Sequence, residues 1–184
     1  MKFRKAESGD LDRVNEIYEK ILQAEETGER FTGWQRGVYP VRATAEAALR
    51  RGDLYVGEEN GNIVGSAVLN HTQVDCYAGA AWQIDLSEDR ILVMHTLTVD
   101  PDAAGRGLGM QFVNFYEQQA AAAGCLALRI DTQERNTRAR AMYRKAGFRE
   151  IGIVPCVFNG IPNVQLVLLE KAISGRETRK AGKL

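Results

Sequence analysis

The sequence predicts a mixed α/β (α+β) fold, helices packed on a sheet without regular βαβ alternation, and three observations carry that reading. Leu11, Val14, Ile17, Tyr18, Ile21 and Leu22 recur at helical spacing, whereas LYVGEENGNIVGSAVLN reads as two strands around Asn60-Gly61, a favoured hairpin turn. The element order is strand, two helices, three strands, helix, strand, helix, two strands. Finally, TVDPDAAGRGLGMQF sets Gly105, Gly107 and Gly109 between an apolar run and a helix-like run, although glycine favours neither strand nor helix.

Each element has a local cause. Ser8 or Asp10 is available to cap the first helix. A polar, aromatic-bearing loop, ETGERFTGWQRGVYP, leads to a short Ala-rich helix near residues 44 to 51. Residues 71 to 90 are polar and irregular and carry Tyr77 and Trp82. ILVMHTLTVD, residues 91 to 100, is a strand stopped by Pro101. Leu108, Phe112, Phe115, Tyr116 and Ala120 mark a helix that ends at Gly124. LALRIDT, residues 126 to 132, alternates as a strand, and NTRARAMYRKAGF is a helix stopped by Gly147. Strands near 149 to 158 and 164 to 171 complete a domain spanning 1 to 172, followed from 173 to 184 by a basic, small-residue-rich tail expected to be solvated.

Bulk properties narrow the function. A chain of 184 residues, 45% apolar and 26% charged, reads as one globular domain. Lys plus Arg balance Asp plus Glu at 24 each, so no overall field recruits nucleic acid or an anionic membrane, and an anion site must be local. Cys76, Cys125 and Cys156 are odd in number and widely spaced, without a C-x-x-C. That pattern argues against a disulfide framework and a zinc site, and no metal is expected. With no apolar leader-like or membrane-length run, the expectation is a cytoplasmic protein.

A strand, Gly-x-Gly-x-Gly and a helix in succession place free backbone N–H groups at a helix N-terminus, where the dipole favours an anion. Missing β-carbons let a pyrophosphate lie against the main chain, and Arg106 can add charge. The dinucleotide fingerprint fails, because Met110 stands where G-x-G-x-x needs its last glycine, and the P-loop fails for want of G-K-[ST].

LTVDPDAAGRGLG followed by a helix resembles motif A of the GNAT superfamily of acyl-CoA-dependent N-acyltransferases. RIDTQERNTRARAMYRKAGF resembles its motif B, with Asn136 opening a helix, Tyr143 within it and Gly147-Phe148 closing it. The resemblance spans roughly residues 2 to 170. It implies a mostly antiparallel seven-stranded sheet splayed between strands 4 and 5, with about four helices. It further implies an acetyl-CoA donor, a small-molecule or peptide amine as acceptor, and frequent homodimers. At one position the chain departs from the family, carrying Ala104 where Gln or Arg is usual.

On that resemblance the coenzyme A site comprises Leu97, Thr98, Val99, Gly105, Arg106, Gly107, Leu108, Gly109, Met110, Asn136 and Tyr143. The Val99 amide faces the thioester carbonyl. Tyr143 is the general acid toward the departing thiolate. His95 is the candidate base, although shared parity with Leu97 and Val99 would turn it toward core residues; Glu26, Asp85 or a water path are alternatives. Trp34, Tyr39, Tyr77 and Trp82 come from acceptor-side regions, with Trp34, Tyr39 and Trp82 taken as the lining. Arg140 and Lys145 are expected to face solvent. No cysteine lies beside an obvious base, so direct transfer is expected. The other reading is a non-catalytic acyl-CoA-binding sensor.

Overall fold

The computed structural model of the chain describes residues 1–28 and 31–173, so the expected tail lies, Ile173 apart, outside the described residues. In chain order the elements are β1 (Lys2–Lys5), α1 (Leu11–Thr27), α2 (Arg42–Arg51), β2 (Leu54–Glu59), β3 (Asn62–Asn70), β4 (Ile91–Val99), α3 (Leu108–Ala122), β5 (Ala127–Gln133), α4 (Thr137–Lys145), β6 (Arg149–Phe158) and β7 (Ile161–Ala172).

The strands form one seven-stranded sheet, ordered β1-β2-β3-β4-β5-β7-β6. Every neighbouring pair is antiparallel except β4 and β5. Asn60 and Gly61 both take positive φ (50° and 78°), as a two-residue type I′ hairpin turn requires. Asn159 and Gly160 do the same at 50° and 83°. The last hairpin is therefore tight, and β7 begins at Ile161 rather than near 164.

Asp10, one of the two residues expected, is the N-cap residue of α1, but its side chain makes no capping bond to the helix. A 3₁₀ turn precedes the helix, and the Asp10 carboxylate accepts from Glu7 N–H (2.7 Å) and from Arg4 (2.6 and 2.9 Å). Asn136 does cap α4, its Oδ1 accepting from Ala139 N–H at 3.1 Å.

Helices α3 and α4 cover one face of the sheet, where Phe112, Val113, Tyr116 and Tyr143 meet Leu92, Met94, Leu128, Ile130 and Val167. On the other face α1 and α2 lay Val14, Ile17, Tyr18, Ala45 and Ala48 on Leu54, Val56 and Val68. Beyond them the irregular 71–90 segment covers β4, β5 and β7, with Tyr77 against Ile91, Val93, Leu166 and Leu168. Buried Arg129 of β5 ties this segment down. Its guanidinium donates to Glu170 (3.3 Å), Gln73 Oε1 (3.1 Å) and Ile84 O (3.0 Å), and stacks on the Trp82 ring at 4.0 Å.

Candidate active site

The site begins where the sheet comes apart. Strands β4 and β5 pair only at Ile91/Ala127, Leu92/Leu128 and Val93/Arg129, and beyond those residues the two strands diverge. Tyr116 from α3 puts its hydroxyl at the root of the fork, 2.6 Å from Leu92 O and 2.9 Å from Arg129 O. One hydroxyl proton shared between two carbonyls replaces the ladder bond that the divergence removes.

On its other edge β4 stays paired with β3, but with a bulge. Thr96 has φ +48°, and the register shifts between Ser66 and Val68. The extra residue reverses the alternation. Met94, Leu97 and Val99 all pack toward the α3/α4 core, whereas Val93 belongs to the opposite face. His95 thus does not share the face of Leu97 and Val99, contrary to the regular-strand expectation. Asp100 N donates to Val64 O at 2.9 Å, and Val99 sits opposite Gly65. In an antiparallel ladder that alternation turns the Val99 N–H away from β3 and into the fork.

A cavity of about 1070 Å³ runs through the opening. At one end it is lined by Gly105, Gly107, Leu108, Gly109 and Met110; Leu97 and Val99 line it along β4; Asn136 and Tyr143 line it from α4. The glycines differ in their surroundings. Gly105 and Gly107 take φ of +78° and +72°, and a Cβ on either would meet nothing within 4 Å, so the space above this turn is open. Gly109 has ordinary φ, and a Cβ there would come within 2.8 Å of Met142 Sδ, so the flexible Met142 side chain would have to shift. The open turn, the first amides of α3 and the lining cation Lys145 suit the phosphates of a coenzyme A-type ligand.

Three expected site residues lie elsewhere. The Arg106 guanidinium pairs with Glu59 of the β2–β3 hairpin, outside the cavity, because the left-handed turn aims it outward. The Thr98 side chain is buried against Ser66, hydroxyl to hydroxyl at 2.8 Å. Trp82 stacks on Arg129 and donates its indole N–H to Tyr77 O (3.0 Å), so it anchors the 71–90 segment instead of lining the cavity. Glu26 is held by Arg36, and Asp85 does not line the cavity. Arg140 is clasped by Glu150 at 2.8 Å on both nitrogens. Exposed Lys145 still borders the cavity.

At the other end the walls are aromatic. Trp34 and Tyr39 meet edge to face at 5.8 Å, Tyr39 and Phe158 at 6.1 Å, and Tyr39 Oη bonds Thr96 Oγ1 at the bulge. The loop bearing Trp34 is shaped by buried Glu25, which accepts the N–H groups of Phe31, Thr32 and Gly33.

His95 lines this end, and its Nε2 lies 3.1 Å from Asn70 Oδ1. Thr72 N also donates to that oxygen, so Oδ1 is the acceptor and His95 Nε2 carries a proton. Burial lowers the imidazole to about 4, leaving it neutral at physiological pH. Tyr143 is 4% exposed, and burial, aided by the Asp131 charge, raises its phenol and keeps it protonated.

Asp131 was not anticipated. It lines the cavity from β5, Tyr77 Oη donates to its Oδ2 at 2.8 Å, and burial pushes its carboxyl up to about 6. The alternation Leu128, Arg129, Ile130, Asp131 already placed two charged residues on one face of a strand buried on both faces, which is the signal that could have found it.

A sheet opened between its one parallel pair, with a glycine turn starting a helix beside the opening, is the architecture that the resemblance to the acyl-CoA-dependent N-acyltransferases implies. Residues 14–148 match the model of the acetyltransferase (GNAT) family, and the chain belongs to that family. An uncharacterized N-acetyltransferase of Bacillus subtilis, YhfO, is 27% identical over 97 residues, 53% of this chain. The match spans 58% of that curated relative's length. Among solved structures, a GNAT-family acetyltransferase from Streptococcus agalactiae superposes with TM-score 0.74 at 24% identity, over 94% of this chain and 95% of that one. The Salmonella typhimurium protein yncA, solved with its cofactor acetyl-CoA, gives 0.67 at 18% identity over 99% of both chains. Ribosomal-protein-alanine N-acetyltransferase from Brucella melitensis gives 0.68 at 19%, over 94% of this chain and all of the other. These likenesses are of fold. Among the described residues no cluster of His, Cys, Asp or Glu is arranged to hold a metal ion, and no helix is long and apolar enough to cross a membrane.

Proposed function

We propose that the protein transfers the acetyl group of acetyl-CoA directly to a primary amine, with residues 1–172 acting as one domain. The observation that carries this reading is the continuous path from the open glycine turn, along the unpaired edge of β4, to Tyr143 and the aromatic end. In this scheme Gly105, Gly107 and the first amides of α3 hold the pyrophosphate, and the free β4 edge pairs with the pantetheine arm. The Val99 N–H receives the charge that develops on the thioester oxygen. The amine nitrogen attacks the carbonyl carbon, the C–S bond breaks, and Tyr143 gives its proton to the thiolate. The attacking nitrogen sheds its proton to water by way of neutral His95, and solvent returns a proton to the Tyr143 phenolate. The low proton affinity of His95 suits a relay better than a lasting base. The three free cysteines fit a reducing, cytoplasmic setting.

The test is acetyl-CoA binding by calorimetry together with free-thiol release on a panel of amines. Wild type should bind acetyl-CoA and release thiol, and Tyr143→Phe should slow release by about 10² or more while acetyl-CoA affinity stays within about twofold. Binding without release for any amine would make the protein a non-catalytic acyl-CoA sensor. No binding at millimolar acetyl-CoA would end the donor assignment.

A further inference from the structure

One carboxylate that lines the cavity, Asp131, has no part in that transfer. Ile130 packs toward α3 and α4, so strand alternation sends Asp131 to the opposite face, under the 71–90 segment. There Tyr77 Oη fixes its Oδ2. Among the described residues, the one enclosed side-chain polar atom that lacks a partner is Tyr18 Oη. Asp131 is half-buried and borders the cavity, and among the described residues its Oδ1 has no hydrogen-bond partner. Of the other lining carboxylates, Glu25 spends both oxygens on the backbone of residues 31 to 33. Among the described residues Asp131 is therefore the carboxylate of the cavity with an oxygen to offer.

Its surroundings say what it can take. Tyr77 from the 71–90 segment, Tyr39 from the α1–α2 loop and Tyr143 from α4 all feel its charge, as do Cys76 and Cys156. All five are neutral at physiological pH, and none compensates the carboxylate. Arg129, its neighbour in sequence, is spent on Glu170, Gln73 and Ile84. Of the cations that line the cavity, Arg51 is paired with Asp53 and Arg138 lies over the Phe31 ring, and neither they nor Lys145 shift the Asp131 carboxyl, so this carboxylate calls for a cation from outside. Trp34, Tyr39 and Phe158 offer ring edges and faces to an apolar body beside it.

We propose that Asp131 is the acceptor-recognition residue of this cavity: Oδ1 receives the ammonium group of a primary amine whose apolar or aromatic body lies against Trp34, Tyr39 and Phe158. The catalytic consequence rests on the transferase reading above, but the binding does not. Tyr77 is then a positioning residue, which keeps the carboxylate turned so that Oδ1 faces the cavity. His95, which already donates from Nε2 to Asn70, is not the primary anchor.

The experiment measures binding of 2-phenylethylamine, hexylamine and tryptamine, each against its neutral alcohol, to the full chain by calorimetry without coenzyme A. Wild type should prefer each amine it binds over the alcohol by at least tenfold. Asp131→Asn should erase that preference by weakening the amine alone, and wild-type amine affinity should fall below about pH 6 as the carboxyl protonates. Tyr77→Phe, which keeps the charge, should retain part of the preference. A folded Asp131→Asn protein that keeps the amine preference would overturn the proposal, as would a wild type that prefers no amine over its alcohol. The two readings fail separately. Asp131-dependent amine binding without thiol release refutes transfer alone, whereas equal thiol release by wild type and Asp131→Asn refutes the role of Asp131 alone.

Discussion

Replacing Asp131 by asparagine removes one of two half-buried groups that pull stability in opposite directions over the same pH range. The Asp131 carboxyl moves from an ordinary 3.8 to about 6 on folding. The native state then binds more protons than the unfolded chain between those values, so this group's contribution falls as pH rises from about 4 to 6. At about 1.4 kcal/mol per tenfold, the loss is about 3 kcal/mol. His95 moves the other way, from 6.5 to about 4. Here the unfolded chain binds more protons, and stability rises by a similar amount, about 3 kcal/mol, between about pH 4 and 6.5. The two slopes nearly cancel in the wild type. Asp131→Asn keeps the shape and the Tyr77 hydrogen bond but leaves only the His95 slope. The stability of the variant relative to wild type should therefore grow by about 3 kcal/mol from pH 4 to pH 7, or roughly 6–12 °C in Tm for a chain of this size. Urea denaturation of both proteins at pH 4, 5, 6 and 7 measures it. A difference that does not change with pH would show that water reaches the carboxyl freely, and the argument from desolvation would fail.

Gly107→Val forces a branched side chain into a left-handed turn at φ +72°, costing about 1–2 kcal/mol, and blocks the open space above it. Acetyl-CoA affinity should vanish by calorimetry while the urea transition stays cooperative. Arg106→Ala should change acetyl-CoA affinity less than about threefold, since that guanidinium serves Glu59, and should cost under about 1 kcal/mol. A larger affinity loss would put Arg106 back on the phosphates. Arg129→Met leaves Glu170, 3% exposed, without its cation and should cost about 3–5 kcal/mol, with faster amide exchange in residues 71 to 90.

What could be read from the sequence was what neighbours in the chain decide. Asn60-Gly61 makes its turn because two adjacent residues must take positive φ, and Asn136 caps α4 because its acceptor lies three residues away. Strand and helix periodicities set the element order for the same reason. The Asn159-Gly160 turn has the same local cause as the first, two adjacent residues at positive φ. His95 defeated the parity argument because a bulge needs one residue out of register with a partner strand, and the partner is not written beside it. Cys76 and Cys156, 80 positions apart, share one apolar cluster for a similar reason.

The sequence by itself determined the class of fold, the position of the glycine turn and the helices that flank it, since backbone geometry and amphipathic period are local properties. Only the tertiary structure decided which groups face the cavity. Arg106 and Trp82 turned to partners that are distant in the chain, Glu59 and Arg129, while Tyr77 fixed Asp131 across 54 positions. The physical reason is that a polar or charged side chain takes the orientation of its best-placed partner, and which partner that is depends on how strands register and layers pack.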